Sequence, residues 1–193
     1  MRVPSVSEDS KRRLIAVALM LGVFAAGTFF GLAVAPPGTP LAAQTVSSVE
    51  PVFSPGSEER LIAFVDSARN TLDVELYQFS NSALKDALVH AASRGVAVRL
   101  ILEPKVDANL ETAQFLSGKG VAVRWASPKF ANLHAKSAVV DAKCVLVGSI
   151  NWSQRAVDSN REAALIACGA LVASPFESVF DKDWSDASAV APA

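Results

Sequence analysis

Helical and strand patterns alternate along most of this chain, and this alternation is the strongest constraint on its fold. In the helical stretches apolar residues recur every three or four positions, as Leu61, Phe64 and Val65 do. Predicted helices cover residues 57–70, 81–94, 107–117 and 170–184, and predicted strands cover residues 72–79, 97–102, 121–125, 135–140, 144–147 and 163–168. Alternating elements predict an α/β protein in which helical layers cover both faces of a mixed central sheet, an α/β/α sandwich.

Six positions in the second half of the chain stand at fixed spacing, in the pattern His-x-Lys-x4-Asp-x6-Gly-Ser-x-Asn. If each position matched by chance about once in twenty, one start site would match on the order of once in tens of millions. Coincidence is therefore a poor explanation of the string. The residues that form it are His134, Lys136, Asp141, Gly148, Ser149 and Asn151.

The spacing within this string places its polar side chains on shared faces. In a strand, residues two apart project to the same side, so His134 and Lys136 lie together. Ser149 and Asn151 repeat this offset at the end of the next strand, and Gly148 allows close backbone approach. A nucleophilic imidazole beside a fixed cation, with a hydroxyl and an amide in reach, suits phosphodiester cleavage.

The string resembles the signature of the phospholipase D superfamily. In that family the histidine attacks phosphorus to form a phosphohistidine, and the histidine of a second motif protonates the leaving oxygen and later activates water. The resemblance implies a catalytic set of His134, Lys136, Ser149 and Asn151, with Asp141 included because it shapes the motif. It also implies that no cofactor or metal is needed. The chain has two histidines and lacks the Cys-x-x-Cys and His-Glu-x-x-His patterns of metal sites.

Glu162 is a further predicted site residue. The segment Asn160-Arg161-Glu162 precedes an apolar strand and resembles the segment that, in small family members, supplies a carboxylate to orient the catalytic imidazole. A carboxylate on the far ring nitrogen would fix the tautomer and support the imidazolium. The alternative is a solvated charge at the start of a strand.

The motif occurs once in the chain. Superfamily members with two motifs place two imidazoles in one active site, so a chain with one motif resembles the small nuclease-like members that pair two identical chains. A homodimer with two-fold symmetry would bring two His134 side chains together.

The N-terminal region predicts export. Residues 1–13 end in the basic run Lys11-Arg12-Arg13, and residues 14–35 carry no charge. A span of roughly 20 apolar residues crosses a bilayer, whereas the core of a cleaved signal has about 7 to 15. These lengths favour a hydrophobic helix retained as a signal anchor over a signal peptide cleaved near Ala43. The basic flank predicts a cytoplasmic N-terminus and an exported remainder, periplasmic or extracellular, which is secreted if the signal is cleaved.

Three further segments complete the predicted organisation. Residues 36–52 form a linker, residues 53–186 the phospholipase D-like catalytic domain, and residues 187–193 a tail. Cys144 and Cys168 lie in strands that could be neighbours, and an exported compartment permits a disulfide. Two buried thiols are the alternative.

The net charge of the predicted catalytic domain bears on the choice of substrate. Beyond residue 44 there are 14 Lys and Arg against 17 Asp and Glu, although a nonspecific nuclease benefits from a basic face. A basic stripe could form from Lys105, Arg124, Lys129, Lys136 and Arg155. The resemblance favours an endonuclease on single-stranded nucleic acid, and the alternative is a phospholipase D on membrane phospholipid. A third hypothesis is a noncatalytic binding module of the same fold.

Overall fold

The computed structural model describes residues 45–190. The predicted basic N-terminus and the hydrophobic helix over residues 14–35 lie outside these residues. Within the described range, no helix has both the length and the apolar character needed to cross a membrane. The elements are β1 (Ser48–Ser54), α1 (Glu58–Asp66), β2 (Thr71–Leu76), α2 (Ser82–Ser93), β3 (Ala97–Leu102), α3 (Ala108–Ser117), β4 (Ala122–Trp125), β5 (Lys136–Val140), β6 (Cys144–Gly148), α4 (Gln154–Asp158), β7 (Glu162–Cys168) and α5 (Ala170–Asp186).

The strands form one mixed sheet, in the order β1-β7-β6-β5-β2-β3-β4. Strands β2, β3 and β4 run parallel, because each is joined to the next by a helix that returns the chain to the same edge. The other neighbours pair antiparallel, and β5 joins β6 through a short turn. The α/β fold with a mixed central sheet is confirmed.

Helices cover both faces of the sheet. The larger core lies on the face that carries α1 to α4, where Leu61, Leu88 and Leu116 are fully buried against the even-numbered side chains of β2 and β3. On the other face α5 packs across β2, β5, β6 and β7, and Phe180 is buried there. Burial of apolar side chains on both faces fixes the sheet between the two helical layers.

The predicted boundaries of the domain are too narrow. Residues 48–52, assigned to the linker, belong to β1, which pairs antiparallel with β7 at the edge of the sheet. Five of the seven residues of β1 are exposed and one is Pro51, so the strand lacks a clear apolar pattern. Proline is tolerated because one row of backbone groups on an edge strand needs no partner. At the other end Ser188, in the predicted tail, exchanges two backbone hydrogen bonds with Trp125, 2.7 and 2.9 Å long.

Two local predictions also differ from the structure. The helix predicted from residue 107 begins one residue later, at Ala108, and the Asp107 side chain before it makes no capping hydrogen bond. Helix α4 was not predicted, because its five residues are too few to establish a helical period; Ser153 caps it by accepting a hydrogen bond from the Ala156 N–H.

The two cysteines form a disulfide. Cys144 begins β6 and Cys168 ends β7, and the antiparallel register places them directly opposite each other. Of the two states that the sequence left open, the structure therefore has the bonded one.

Asp141 ties the turn after β5 to the start of β2. Its carboxylate accepts backbone N–H groups of Arg69, Asn70 and Thr71 at 3.1, 2.7 and 2.9 Å. Burial raises the pKa of Asp141, but these three N–H donors and Lys143 outweigh it, and the pKa lies below its ordinary value.

We expect Asp141→Ala to lower the free energy of unfolding by about 1–3 kcal/mol, because it leaves three backbone donors without their acceptor. Asp141→Asn should cost less, since one side-chain oxygen remains for Asn70 and Thr71. Urea denaturation followed by circular dichroism measures both, with Lys119→Ala, at an exposed turn, as the control. An unchanged midpoint for Asp141→Ala would contradict this role.

Candidate active site

The polar residues of the motif meet at one end of the sheet. There β2 and β6 end, β5 and β7 begin, and a groove of about 420 Å³ opens between the sheet and α5. His134, Lys136 and Gly148 line this groove. Antiparallel pairing produces the convergence, because it puts the end of one strand beside the start of the next.

His134 and Lys136 contact each other directly. The Lys136 ammonium donates to the His134 carbonyl oxygen at 2.7 Å and lies 3.2 Å from Nδ1 of the imidazole. The Tyr77 ring packs against the imidazole with centroids 4.5 Å apart, and Lys136 Nζ lies 5.0 Å from the centre of the same ring. Lys136 is 8% exposed, whereas His134 is open to solvent. The pair thus presents a reachable imidazole against a shielded cation.

Burial sets the electrostatics of Lys136. It lowers the pKa of the ammonium, and the nearby Glu162 carboxylate opposes this shift. A cation held in a partly desolvated position attracts an incoming phosphate more strongly than one in bulk water does.

Glu162 contacts Ser149 rather than the imidazole, contrary to the expectation for it. Its carboxylate accepts the Ser149 hydroxyl at 2.5 Å and the Asn160 side-chain amide at 3.0 Å. The order of strands explains the difference, since β6 separates the start of β7 from β5 and its preceding His134. Within this chain, Glu162 positions the Ser149 hydroxyl.

The remaining residues of the motif are Asn151, Gly148 and Asp141. Asn151 has a buried side-chain oxygen without a hydrogen-bond partner among the described residues, a feature that calls for a functional explanation. A Cβ on Gly148 would lie 2.4 Å from the Ala163 carbonyl oxygen, so only glycine permits β6 to approach β7 here. Asp141 lies at the far end of β5, about 17 Å along the strand from Lys136, and takes no part in the cluster.

Three other residues of the predicted basic stripe use their charged side chains in contacts within the chain. Arg124 donates to the Trp184 carbonyl at 2.6 Å and stacks on its ring, and Lys129 pairs with Asp186 at 3.1 Å. Lys105 donates to the Ala131 carbonyl.

One side of the groove is acidic, which the sequence did not predict. Asp73 and Glu75 on β2 and Asp183 on α5 line it, and Glu177 on α5 lies beside Asp73; we call these four residues the acidic floor. Arg99 donates to Asp73 at 2.5 and 2.8 Å and lies 3.8 Å from Glu177. The sequence offered one signal of this cluster, because Asp73 and Glu75 alternate with apolar residues in β2.

Glu75 is the unusual member of the acidic floor. It is 7% exposed, and its Oε1 atom is buried without a hydrogen-bond partner in the described part of the chain. Burial, and then the Asp183 charge, raise the pKa of Glu75 to about 7. Burial and the neighbouring Asp73 likewise raise the pKa of Glu177 to about 7.

Comparison with protein families agrees with the motif and the fold. The model of the family described as cardiolipin synthase, PLD-like domain, matches residues 61–184. The chain therefore belongs to the phospholipase D superfamily, as its motif and mixed sheet indicate.

Several curated relatives are named mitochondrial cardiolipin hydrolase. The mitochondrial cardiolipin hydrolase of Chlamydomonas reinhardtii is 29% identical over 132 residues, covering 68% of this chain and 59% of the relative. The protein of that name in Danio rerio is 32% identical over 130 residues, with 66% and 57% coverage. The Xenopus tropicalis protein is 30% identical over 154 residues, with 73% of each covered. This chain thus spans less than two thirds of the first two relatives.

Solved structures share the architecture. Nuc of Salmonella typhimurium, described as a phospholipase D family member, has a TM-score of 0.68 and 25% identity, covering 72% of this chain and 95% of that one. NucT from Helicobacter pylori has a TM-score of 0.66 and 22% identity, with 73% and 99% coverage.

The raised pKa of Glu75 predicts a pH dependence of stability. A carboxyl that holds its proton more tightly when folded stabilises the fold below its ordinary pKa of 4.5, and this contribution is lost as the pH rises through about 7. The shift corresponds to about 3 kcal/mol. We expect Glu75→Gln to flatten the fall in unfolding free energy between about pH 5 and pH 8, measured by urea titration at each pH. Glu111→Gln, at an exposed site on α3, is the control, and equal slopes for both variants would refute the role of Glu75.

Proposed function

We propose that this chain is a phosphodiesterase that works through a phosphohistidine on His134 and needs no metal. The observation that carries the proposal is the contact between an exposed imidazole and a shielded ammonium at the mouth of a groove. Ser149 lies within the same cluster of contacts through Glu162, whose charge reaches Lys136.

The geometry supports a two-step reaction. Phosphate oxygens bind the Lys136 ammonium, which stabilises the charge that builds up on them. The Ser149 hydroxyl binds the phosphate by turning its single hydrogen from the Glu162 carboxylate to a phosphate oxygen. An imidazole nitrogen of His134 forms a bond to phosphorus as the bond to the leaving oxygen breaks. The leaving oxygen takes a proton from a second imidazole, which then removes a proton from the water that cleaves the phosphohistidine.

We propose that the second imidazole comes from another copy of the chain. The sequence has two histidines, and His90 lies on α2 beside Asp66 and Arg94, away from the groove. We therefore propose a homodimer in which two His134 side chains share one active site. An exposed apolar side chain at this end of the sheet suits such an interface: Phe53, paired with Ala163 near the start of β7, is 52% exposed.

Phospholipid is the substrate class that the surroundings of the site support better. The curated relatives are named as cardiolipin hydrolases, and residues 14–35 have the length of a membrane anchor. The acidic floor would repel a polyanionic strand. Single-stranded nucleic acid, the expectation from the motif resemblance, is the second candidate, favoured by the open, solvent-exposed position of His134.

Export of the domain completes the proposal. The basic flank before residues 14–35 supports translocation of the remainder, and the Cys144–Cys168 disulfide suits an oxidising compartment. We propose a membrane-anchored domain on the periplasmic or extracellular side.

Removing the nucleophile or the cation tests the chemistry. His134→Asn should abolish hydrolysis of bis-p-nitrophenyl phosphate, and Lys136→Met should lower kcat/KM about 100-fold or more, because charge stabilisation in the transition state is lost. Wild-type activity should survive EDTA. Activity of His134→Asn above a few per cent, or loss on chelation with recovery on adding a divalent ion, would refute the mechanism.

Mixing chains tests the shared site. Refolding equal amounts of wild-type and His134→Ala chains should lower activity per wild-type chain to about half, because mixed dimers hold one imidazole where two are needed. His90→Ala is the matched control: its chains keep their own His134, so activity per total chain in that mixture should equal that of wild type. If the mixture with His134→Ala retains full activity per wild-type chain, each chain acts independently.

A further inference from the structure

Glu103 lies outside the sequence motif and has no part in the reaction steps proposed above. It directly follows β3 and is 1% exposed, although it carries a carboxylate. We infer that Glu103 is a positioning residue, which holds the backbone beside His134 so that the imidazole stays in place for attack on phosphorus. This inference rests on the proposed function and adds a residue to the same site.

His134 lies in a loop that regular secondary structure does not hold. Residues 126–135 join β4 to β5 and contain no helix or strand. Open space borders this loop on two sides, because Phe130 lines both the catalytic groove and a second cavity of about 640 Å³. The Leu133 side chain is buried, but packing restrains the rest of the loop weakly. The position of the imidazole therefore depends on hydrogen bonds to the loop backbone.

The Glu103 carboxylate supplies such a bond immediately before His134. Its Oε2 accepts the Leu133 N–H at 2.5 Å, and its Oε1 accepts the Lys105 N–H at 3.0 Å. Hydrogen bonds from backbone N–H groups to a carboxylate are strong, and burial excludes the water that would compete with them. The Lys105 ammonium in turn donates to the Ala131 carbonyl, so the same turn holds the loop at a second point.

Asn109 connects Glu103 to the residue that holds the other side of His134. Its side-chain amide is fully buried and donates to the Glu103 carbonyl at 2.8 Å and to the Tyr77 carbonyl at 2.9 Å. Tyr77 donates its own N–H to the Ala135 carbonyl at 2.9 Å, and its ring packs against the imidazole. Glu103 and Tyr77 are thus fixed relative to each other, and they hold the chain just before and just after the nucleophile.

Loss of the Glu103 contact should affect the chemical step more than substrate binding. A nucleophile attacks productively only within a narrow range of distance and angle, and misplacement by about 1 Å can cost about 100-fold in rate. Lys136, which attracts the phosphate, lies in β5 and is held by the sheet. We therefore expect kcat to fall and KM to change little.

Glu103→Gln tests the inference in the full-length protein. Glutamine keeps the shape of the side chain but accepts through one oxygen, so one of the two N–H groups loses its acceptor. We expect kcat for bis-p-nitrophenyl phosphate to fall about tenfold or more, with KM within about twofold of wild type. The nitrogen NMR signals of the His134 imidazole should broaden, because the ring then samples several positions.

Thr112→Val is the matched control. Thr112 is also buried, its hydroxyl donates to the Phe79 and Ala108 carbonyls, and it makes no hydrogen bond to residues 126–135. This variant should lower the stability of the fold and leave kcat and the imidazole signals unchanged. Wild-type kcat in folded Glu103→Gln, or an equal loss of kcat in both variants, would overturn the inference.

Hydrogen exchange in wild type tests the contact itself and decides the inference if Glu103→Gln does not fold. The Leu133 amide should exchange about as slowly as the amides of β3, because its acceptor is buried. Exchange as fast as that of an exposed loop amide would show that the contact does not hold the loop, and the inference would be wrong.

Failure of the proposed function gives a different result. If wild type cleaves no phosphodiester, the phosphodiesterase proposal fails, and the NMR measurements alone decide whether Glu103 positions His134. Slow exchange at Leu133 with broadened imidazole signals in Glu103→Gln supports the inference, whereas fast exchange or unchanged signals overturn it.

Discussion

The approach of β6 to β7 is the constraint on which the site depends. Gly148 permits it, because any side chain there would strike the backbone of Ala163 and Ala164. The pairing puts Ser149 beside Glu162, and the pairing of β6 with β5 on its other side brings Lys136 to the same end of the sheet. Asp141 holds the opposite end of β5 against β2, so both ends of the motif strand are fixed by long-range contacts.

Charges of both signs line the groove. Lys136 is shielded and offers a cation to a phosphate, whereas Glu75 and Asp183 of the acidic floor carry carboxylates. This arrangement suits a long polyanion poorly, because only the phosphate at Lys136 would meet a favourable charge.

In the proposed mechanism each chain holds half of the groups that the reaction needs. His134 and Lys136 can form and stabilise a phosphohistidine, but the described part of the chain brings no second imidazole to the groove. Association of two copies would supply it, and the exposed apolar side chains near the site would lose their contact with water at the same time. Catalysis and assembly are therefore coupled in the proposed mechanism.

The sequence by itself determined the α/β class, the shared face of His134 and Lys136, and the close backbone approach at Gly148. These depend on local periods, since a strand alternates its faces every two residues whatever surrounds it. Only the tertiary structure decided that Glu162 meets Ser149 and that Cys144 meets Cys168, because strand order and register arise from packing between distant segments. The acidic floor joins β2 to α5, more than 100 residues later in the chain. No local pattern encodes such a contact, because it exists only when both helical layers have closed over the sheet.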